Sequence, residues 1–188
     1  MSATSSPFGL RPAYHPSGLD RAREYAISAS YATPIYKNSP VALVSNLINL
    51  ATFQADWLGS FDGVTYTDVT GKPTVANFWP GALSGATNLT AWVWDDPLTV
   101  YEIQANGSIA ANLQGRQIDF DSGSIGSGSA STGLSSAMAA SAVVSAGTQA
   151  QMAIVDYNLA PTNAAGDAFT VLQVRNARHQ FVSNKVSV

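Results

Sequence analysis

Leu89-Thr-Ala-Trp92-Val-Trp94, Asp95-Asp96-Pro97-Leu98 and Thr99-Val-Tyr101-Glu-Ile103-Gln104 form the stretch that decides the fold class. Trp92 and Trp94 share one face by the two-residue period of a strand. The second run alternates in the same way and is rich in β-branched and aromatic residues. Between them Asp-Asp-Pro supplies turn chemistry, because proline fixes φ and aspartate caps nearby backbone donors. Two strong strands flanking a turn point to an all-β chain.

The same pattern extends outward. Tyr25 to Tyr31 alternates cleanly until Pro34. Ile35-Tyr36 and Val41 to Val44 flank an Asn38-Ser39-Pro40 turn. Asp62-Gly63 reads as a hairpin turn into Val64-Thr65-Tyr66, and Asp68 to Lys72 turns the chain into Thr74 to Trp79. Past the Asn106-Gly107 turn, Ser108, Ile109 to Leu113 and Gly115 predict one short helix with a cap and a stop. Ile118 to Phe120, Met152 to Tyr157 and Phe169 to Arg175 read as strands. Leu134 to Ala146 is open between helix and strand. Residues 122–133, all Ser, Gly, Ala, Thr and one Ile, predict a flexible loop. Many short strands with tight turns predict a compact β-barrel or sandwich over residues 22–188.

Before it, residues 1–21 predict an extended arm. Pro7, Pro12 and Pro16 exclude a helix and a central strand. Phe8, Leu10 and Tyr14 are nevertheless larger and more apolar than a solvated tail needs. Ordering a residue costs about 1–2 kcal/mol of backbone entropy, and burying a large apolar side chain returns about 1.5–3 kcal/mol. Three anchors therefore hold such an arm only on a surface that already exists, on a partner or on the domain behind it.

Charged residues are 11% of the 188, and there is no cysteine, which removes disulfides and thiolate metal sites. Residues 1–40 carry Arg11, Arg21, Arg23 and Lys37 against Asp20 and Glu24. Residues 41–174 carry Lys72 and Arg116 against nine Asp and Glu102. Residues 175–188 carry Arg175, Arg178 and Lys185 with no acid. An acidic body with basic ends suits contact with an acidic protein surface, and its cations are too few and scattered for nucleic acid. No apolar run approaches the roughly 20 residues of a membrane-spanning helix. No leader is apparent at the N-terminus, so synthesis in the cytoplasm is expected.

Catalytic chemistry is not in evidence. His15 precedes a proline and His179 lies in the basic C-terminal stretch, neither in a triad-like setting. The Ser/Gly loop ends in no Gly-Lys-Ser/Thr. Asp119-Phe-Asp121-Ser-Gly123 lacks a third oxygen ligand and a distal Glu, so no metal is expected. The other carboxylates fall in turns, Asp95 and Asp96 among them, where they cap backbone. Trp57, Trp79, Trp92 and Trp94 leave room for an alternative, a carbohydrate-binding β-module or a tail or fibre structural component that stacks sugars.

From end to end the order of pieces resembles the head decoration proteins, or structural cement proteins, of tailed phages. Pro7-Phe8-Gly9-Leu10-Arg11-Pro12, with His15 and Gly18 after it, is similar to their opening pattern. The later motifs are Ile35-Tyr36-Lys37-Asn38-Ser39-Pro40-Val41, Gly59-Ser60-Phe61-Asp62-Gly63-Val64-Thr65-Tyr66-Thr67-Asp68, Gly71-Lys72, Phe78-Trp79-Pro80, Asp95 to Gln104, and Asn176 to Phe181. The Ser/Gly loop and the Ala-rich stretch after it have no counterpart. The resemblance implies a non-enzymatic virion protein without a cofactor. It would coat the outer capsid surface, fasten major capsid protein subunits together and assemble as a homotrimer. Phe8, Leu10, Arg11, Tyr14 and His15 of the arm, with Arg175 and Arg178, are the residues expected to touch the capsid or a neighbouring copy.

Overall fold

The computed structural model describes residues 4–182. Met1 to Ala3 of the expected arm and Lys185 of the basic C-terminal stretch lie outside them. The first seven strands are β1 (Arg11–Tyr14), β2 (Arg23–Ala26), β3 (Pro40–Val44), β4 (Leu47–Leu50), β5 (Gly59–Thr67), β6 (Pro73–Ala76) and β7 (Thr87–Trp94). The next four are β8 (Val100–Gln104), β9 (Gln117–Phe120), β10 (Gly128–Ser129) and β11 (Leu134–Ser135). β12 (Ala139–Val143), β13 (Met152–Tyr157) and β14 (Val171–Asn176) complete the set. The chain is all-β, with no helix among the described residues.

Two open sheets carry the fold. One runs β1-β8-β14-β13-β9-β12, and the other runs β2-β7-β5-β3-β4 with β6 also on β5; β10 and β11 form a small separate ribbon. Strand alternation explains both cores. Tyr101, Ile103, Ile118, Phe120, Met152, Ile154, Leu172 and Val174 point from the first sheet into one cluster. Val41, Ile48, Phe61, Val64, Ala91 and Val93 of the second sheet fill another, closed by Ile27, Ile35 and Trp79. Trp94, on the opposite face of β7 from Ala91 and Val93, packs against the first cluster. Ala42 of β3 reaches that cluster too. The second sheet is thus apolar on both faces, one packed toward the first cluster through Ala42 and Trp94 and the other covered by Ile27, Ile35 and Trp79. An open sandwich, rather than a closed barrel, is the architecture consistent with these sheets.

The opening stretch folds in a way its pattern does not reveal. β7 and β8 are strong strands that do not pair with each other: β7 lies between β2 and β5, and β8 between β1 and β14. Asp95 to Thr99 carries the chain from one sheet to the other. The Tyr101 hydroxyl ties the crossing down by donating to the Trp94 carbonyl at 2.8 Å.

Several expectations are corrected. The short helix over 108–115 is absent. Ile109 instead plugs the core with 1% exposure, its N–H donating to Thr170 Oγ1 at 3.2 Å and its carbonyl accepting from Gly166 N at 2.7 Å. Asn112 then takes φ 63, which no α-helix accommodates. Asp62-Gly63 is a bulge inside the nine-residue β5, because β7 pairs with the strand on both sides of it, while β6 joins the other edge only from Val64 onward. The left-handed residues that do make a two-residue hairpin turn are Ser45 (φ 50) and Asn46 (φ 63), joining β3 to β4. β2 stops at Ala26, and Ile27 turns into the second core.

The Ser/Gly segment 122–133 is folded against the body. Gly128 sits on the Tyr36 ring with no room for a Cβ, and Lys37 N donates to the Gly133 carbonyl at 2.9 Å. The ambiguous stretch after it becomes β11 and β12. Of the two surfaces expected for the N-terminal arm, a partner or the domain behind it, the described part takes the second and is not a separate arm. Arg11–Tyr14 is an edge strand of the chain's own first sheet, paired with β8, and Leu10 is fully buried in the first core. Pro12 is compatible with an edge, where its missing N–H breaks no ladder bond. Gly9, at φ 75, lets the chain dive inward; a Cβ there would stand 2.5 Å from the Asn38 carbonyl oxygen.

Candidate interaction surface

Inward-facing Tyr101, Ile103, Leu172 and Val174 fix the opposite face of the first sheet. Glu102 of β8 and Gln173 and Arg175 of β14 look outward there, on the face that the buried Val100 and Gln104 share by alternation. Register then aligns the N-terminal residues with them. Arg11 stands opposite Glu102, and Tyr14, after a bulge, opposite Val100, which is opposite Arg175. Phe8, Arg11, Tyr14 and Arg175, distant in sequence, therefore come to one face and its edge.

Each has a defined environment. The Arg11 guanidinium pairs with the Glu102 carboxylate and lies over the Phe8 ring, 4.7 Å from its centroid. Glu102 also accepts from Asn158 Nδ2 at 2.5 Å. A cleft of about 310 Å³ opens beside them, lined by Ser6, Phe8, Arg11, Asn158, Thr162 and Val171 among others. Tyr14 is 47% exposed, and Arg175 is exposed. An exposed arginine, a half-exposed phenol and an arginine stacked on a phenylalanine are groups enriched where proteins meet.

Two expected residues do not join this face, and a third marks its end. Leu10 is spent on the core. Arg178 lies elsewhere, its Nε donating to Asp56 Oδ1 at 2.9 Å and another guanidinium nitrogen to the Gln54 carbonyl. His15 sits where β1 gives out. Its Nδ1 accepts from Ser17 N at 3.1 Å, and its Nε2 lies 3.1 Å from Asp96 Oδ1.

Both histidines of the chain converge on the Asp95–Asp96 turn. His179 is buried, its Nε2–H donating to the Asp95 carbonyl at 2.9 Å while Nδ1 accepts from Phe181 N at 3.1 Å. Burial holds its pKa below the usual histidine value, against the raising effects of the Asp95 carbonyl and the nearby aspartates. The Asp96 carboxyl is held below its ordinary value. Burial raises it, but hydrogen bonds from Leu98 N and His15 and the charges of His15 and Arg23 together outweigh that. Tyr25 is raised well above the ordinary phenol value by burial and by its 2.5 Å bond to Asp95 Oδ2.

This turn is the part that the residue pattern hid. Asp96 does cap the Leu98 N–H at 2.8 Å, as turn chemistry predicts, but Asp95 is 3% exposed and bonded into the structure. An aspartate directly before the capping one, preceded by a run of strand residues, was the available cue.

Trp57 and Trp79 are fully buried, with their indole N–H groups donating to the Gln151 and Tyr31 carbonyls. They contribute nothing to a sugar-stacking platform. Among the described residues no cluster of three His, Asp or Glu is placed to hold a metal ion. Comparison with family models, with curated proteins and with solved structures finds no match.

Proposed function

We propose that this chain is a capsid decoration protein of a tailed phage, which coats the outer surface of the head and fastens neighbouring major capsid protein subunits. The observation that carries this reading is the ordered series of motifs from Pro7 to Phe181, nearly the full length of the chain. The face bearing Phe8, Arg11, Tyr14 and Arg175 supports it by offering aromatic and guanidinium groups to a protein partner. In this reading the contact is made by a rigid sheet and its edge rather than by a free arm. Pre-ordered groups lose less entropy on docking than a disordered segment would.

The role is structural and needs neither cofactor nor catalysis. Copies assemble as a homotrimer on the lattice, each subunit covering part of its neighbour's weakly charged surface. Sedimentation of the purified protein with heads that lack it tests the proposal, against a glycan array as the competing outcome. Saturable co-sedimentation with heads is expected. Capture by glycans without binding to heads would overturn the reading in favour of a carbohydrate-binding module.

A further inference from the structure

Among the described residues three buried side-chain polar atoms lack a hydrogen-bond partner: His15 Nε2, Asp95 Oδ1 and Gln151 Oε1. Two of the three flank one turn. Buried polar groups are hydrogen-bonded in the great majority of cases, so a buried carboxylate oxygen left without one points to a missing donor. Asp95 has a side chain 1% exposed, and its Oδ2 is already taken by the Tyr25 hydroxyl. Arg23 Nε forms an ion pair with Asp95 Oδ1 at 3.4 Å, but outside hydrogen-bond geometry and from a side chain 56% exposed. His15 Nε2 already lies 3.1 Å from Asp96 Oδ1 as an ion-pair contact, so Asp95 Oδ1 is the acceptor here that is left without a hydrogen bond.

A cavity of about 450 Å³ opens at this turn, lined by Leu19, Asp20, Arg21, Arg23, Asp95 and Asp96. Its three carboxylates outnumber its two guanidinium groups. Leu19 is 83% exposed and Leu98, next to the turn, 48%. The site therefore combines buried and surface acceptors, an excess of negative charge and an apolar rim.

We infer that this cavity receives an arginine side chain presented by a protein partner; on the reading above, that partner is the capsid lattice. A guanidinium carries five donors in a plane and satisfies several acceptors at once, which a lysine ammonium does less well. Its donors go to Asp95 Oδ1 and to the Asp20 and Asp96 carboxylates, its added charge offsets the excess, and its aliphatic stem lies on Leu19. A bare metal ion fits less well, because no three ligating side chains converge here among the described residues.

The test uses the full chain and butylguanidinium as probe, followed by amide resonances, with tetramethylammonium as a cation that has no N–H donor. Resonances of residues 15–23 and 94–99 are expected to shift saturably with butylguanidinium alone. The Asp95→Asn variant should bind about tenfold more weakly or worse, with the rest of its spectrum unchanged. Asp20→Asn, at a more exposed position, serves the same purpose if Asp95→Asn does not fold. Shifts that are absent, equal with both cations, or insensitive to both substitutions would overturn the inference. Heads separate it from the parent reading. If wild-type protein ignores heads while butylguanidinium binds, decoration fails and the arginine site stands. If wild type and variant bind heads equally, the cavity is not the contact.

Discussion

Leu10 and Arg11 are neighbours in one motif with opposite fates. Leu10 is fully buried and its carbonyl accepts from Ser60 Oγ at 2.6 Å, while Arg11 has a side chain 55% exposed. Leu10→Ala should therefore cost about 2–5 kcal/mol in denaturant unfolding, as core truncations do. Arg11→Ala should cost no more than about 1 kcal/mol of stability, since exposed ion pairs contribute little. The sequence made Leu10 an anchor but could not say whose pocket it fills, because burial in a partner and burial in the chain's own core demand the same residue type. His179 was equally opaque. Its ring fits as a neutral donor and acceptor, so the folded state resists a second ring proton. With its pKa lowered from 6.5 on folding, the unfolded chain binds more protons, and stability must fall as pH drops below about 6.5. The decline continues until the folded-state pKa is passed. His179→Gln, which keeps a donor, should flatten that part of a pH-dependent melting curve; an unchanged slope would assign the effect elsewhere.

At the scale of elements, strands whose apolar residues alternate were legible: β3, β7, β8, β9, β13 and β14 all fall on alternating or β-branched runs. Elements defined by distant partners were not. β1 looked like an arm because three prolines punctuate its surroundings, yet an edge strand pairing on one side tolerates a proline. The expected helix failed because its apolar residue Ile109 was claimed by the core and its backbone by Thr170 and Gly166. Removing residues 1–14 should accordingly lower the melting temperature markedly, because it strips β8 of its neighbour and empties the Leu10 site. A truncated protein that melts with the full chain would mean that β1 adds nothing to the sheet. The Ser/Gly segment gives a similar test. Gly128→Ala drives a methyl into the Tyr36 ring and should destabilise by about 1–3 kcal/mol, whereas a loose loop would be indifferent.

For the whole molecule, two open sheets are joined through the Asp95–Asp96 crossing, where His15 contacts Asp96 and His179 donates to the Asp95 carbonyl. The outward face of the first sheet then presents Arg11, Tyr14 and Arg175 together, a juxtaposition that strand register creates and no local motif encodes. Substituting Tyr14→Ala together with Arg175→Glu should leave melting nearly unchanged, since both side chains are exposed, while weakening attachment to heads by tenfold or more. Direct imaging of decorated heads tests the account most sharply. Reconstruction of particles mixed with this protein should place three copies around each three-fold position, with the Phe8, Arg11, Tyr14 and Arg175 face against the capsid lattice or a neighbouring copy. Heads without added density, or copies that turn this face to solvent, would contradict it.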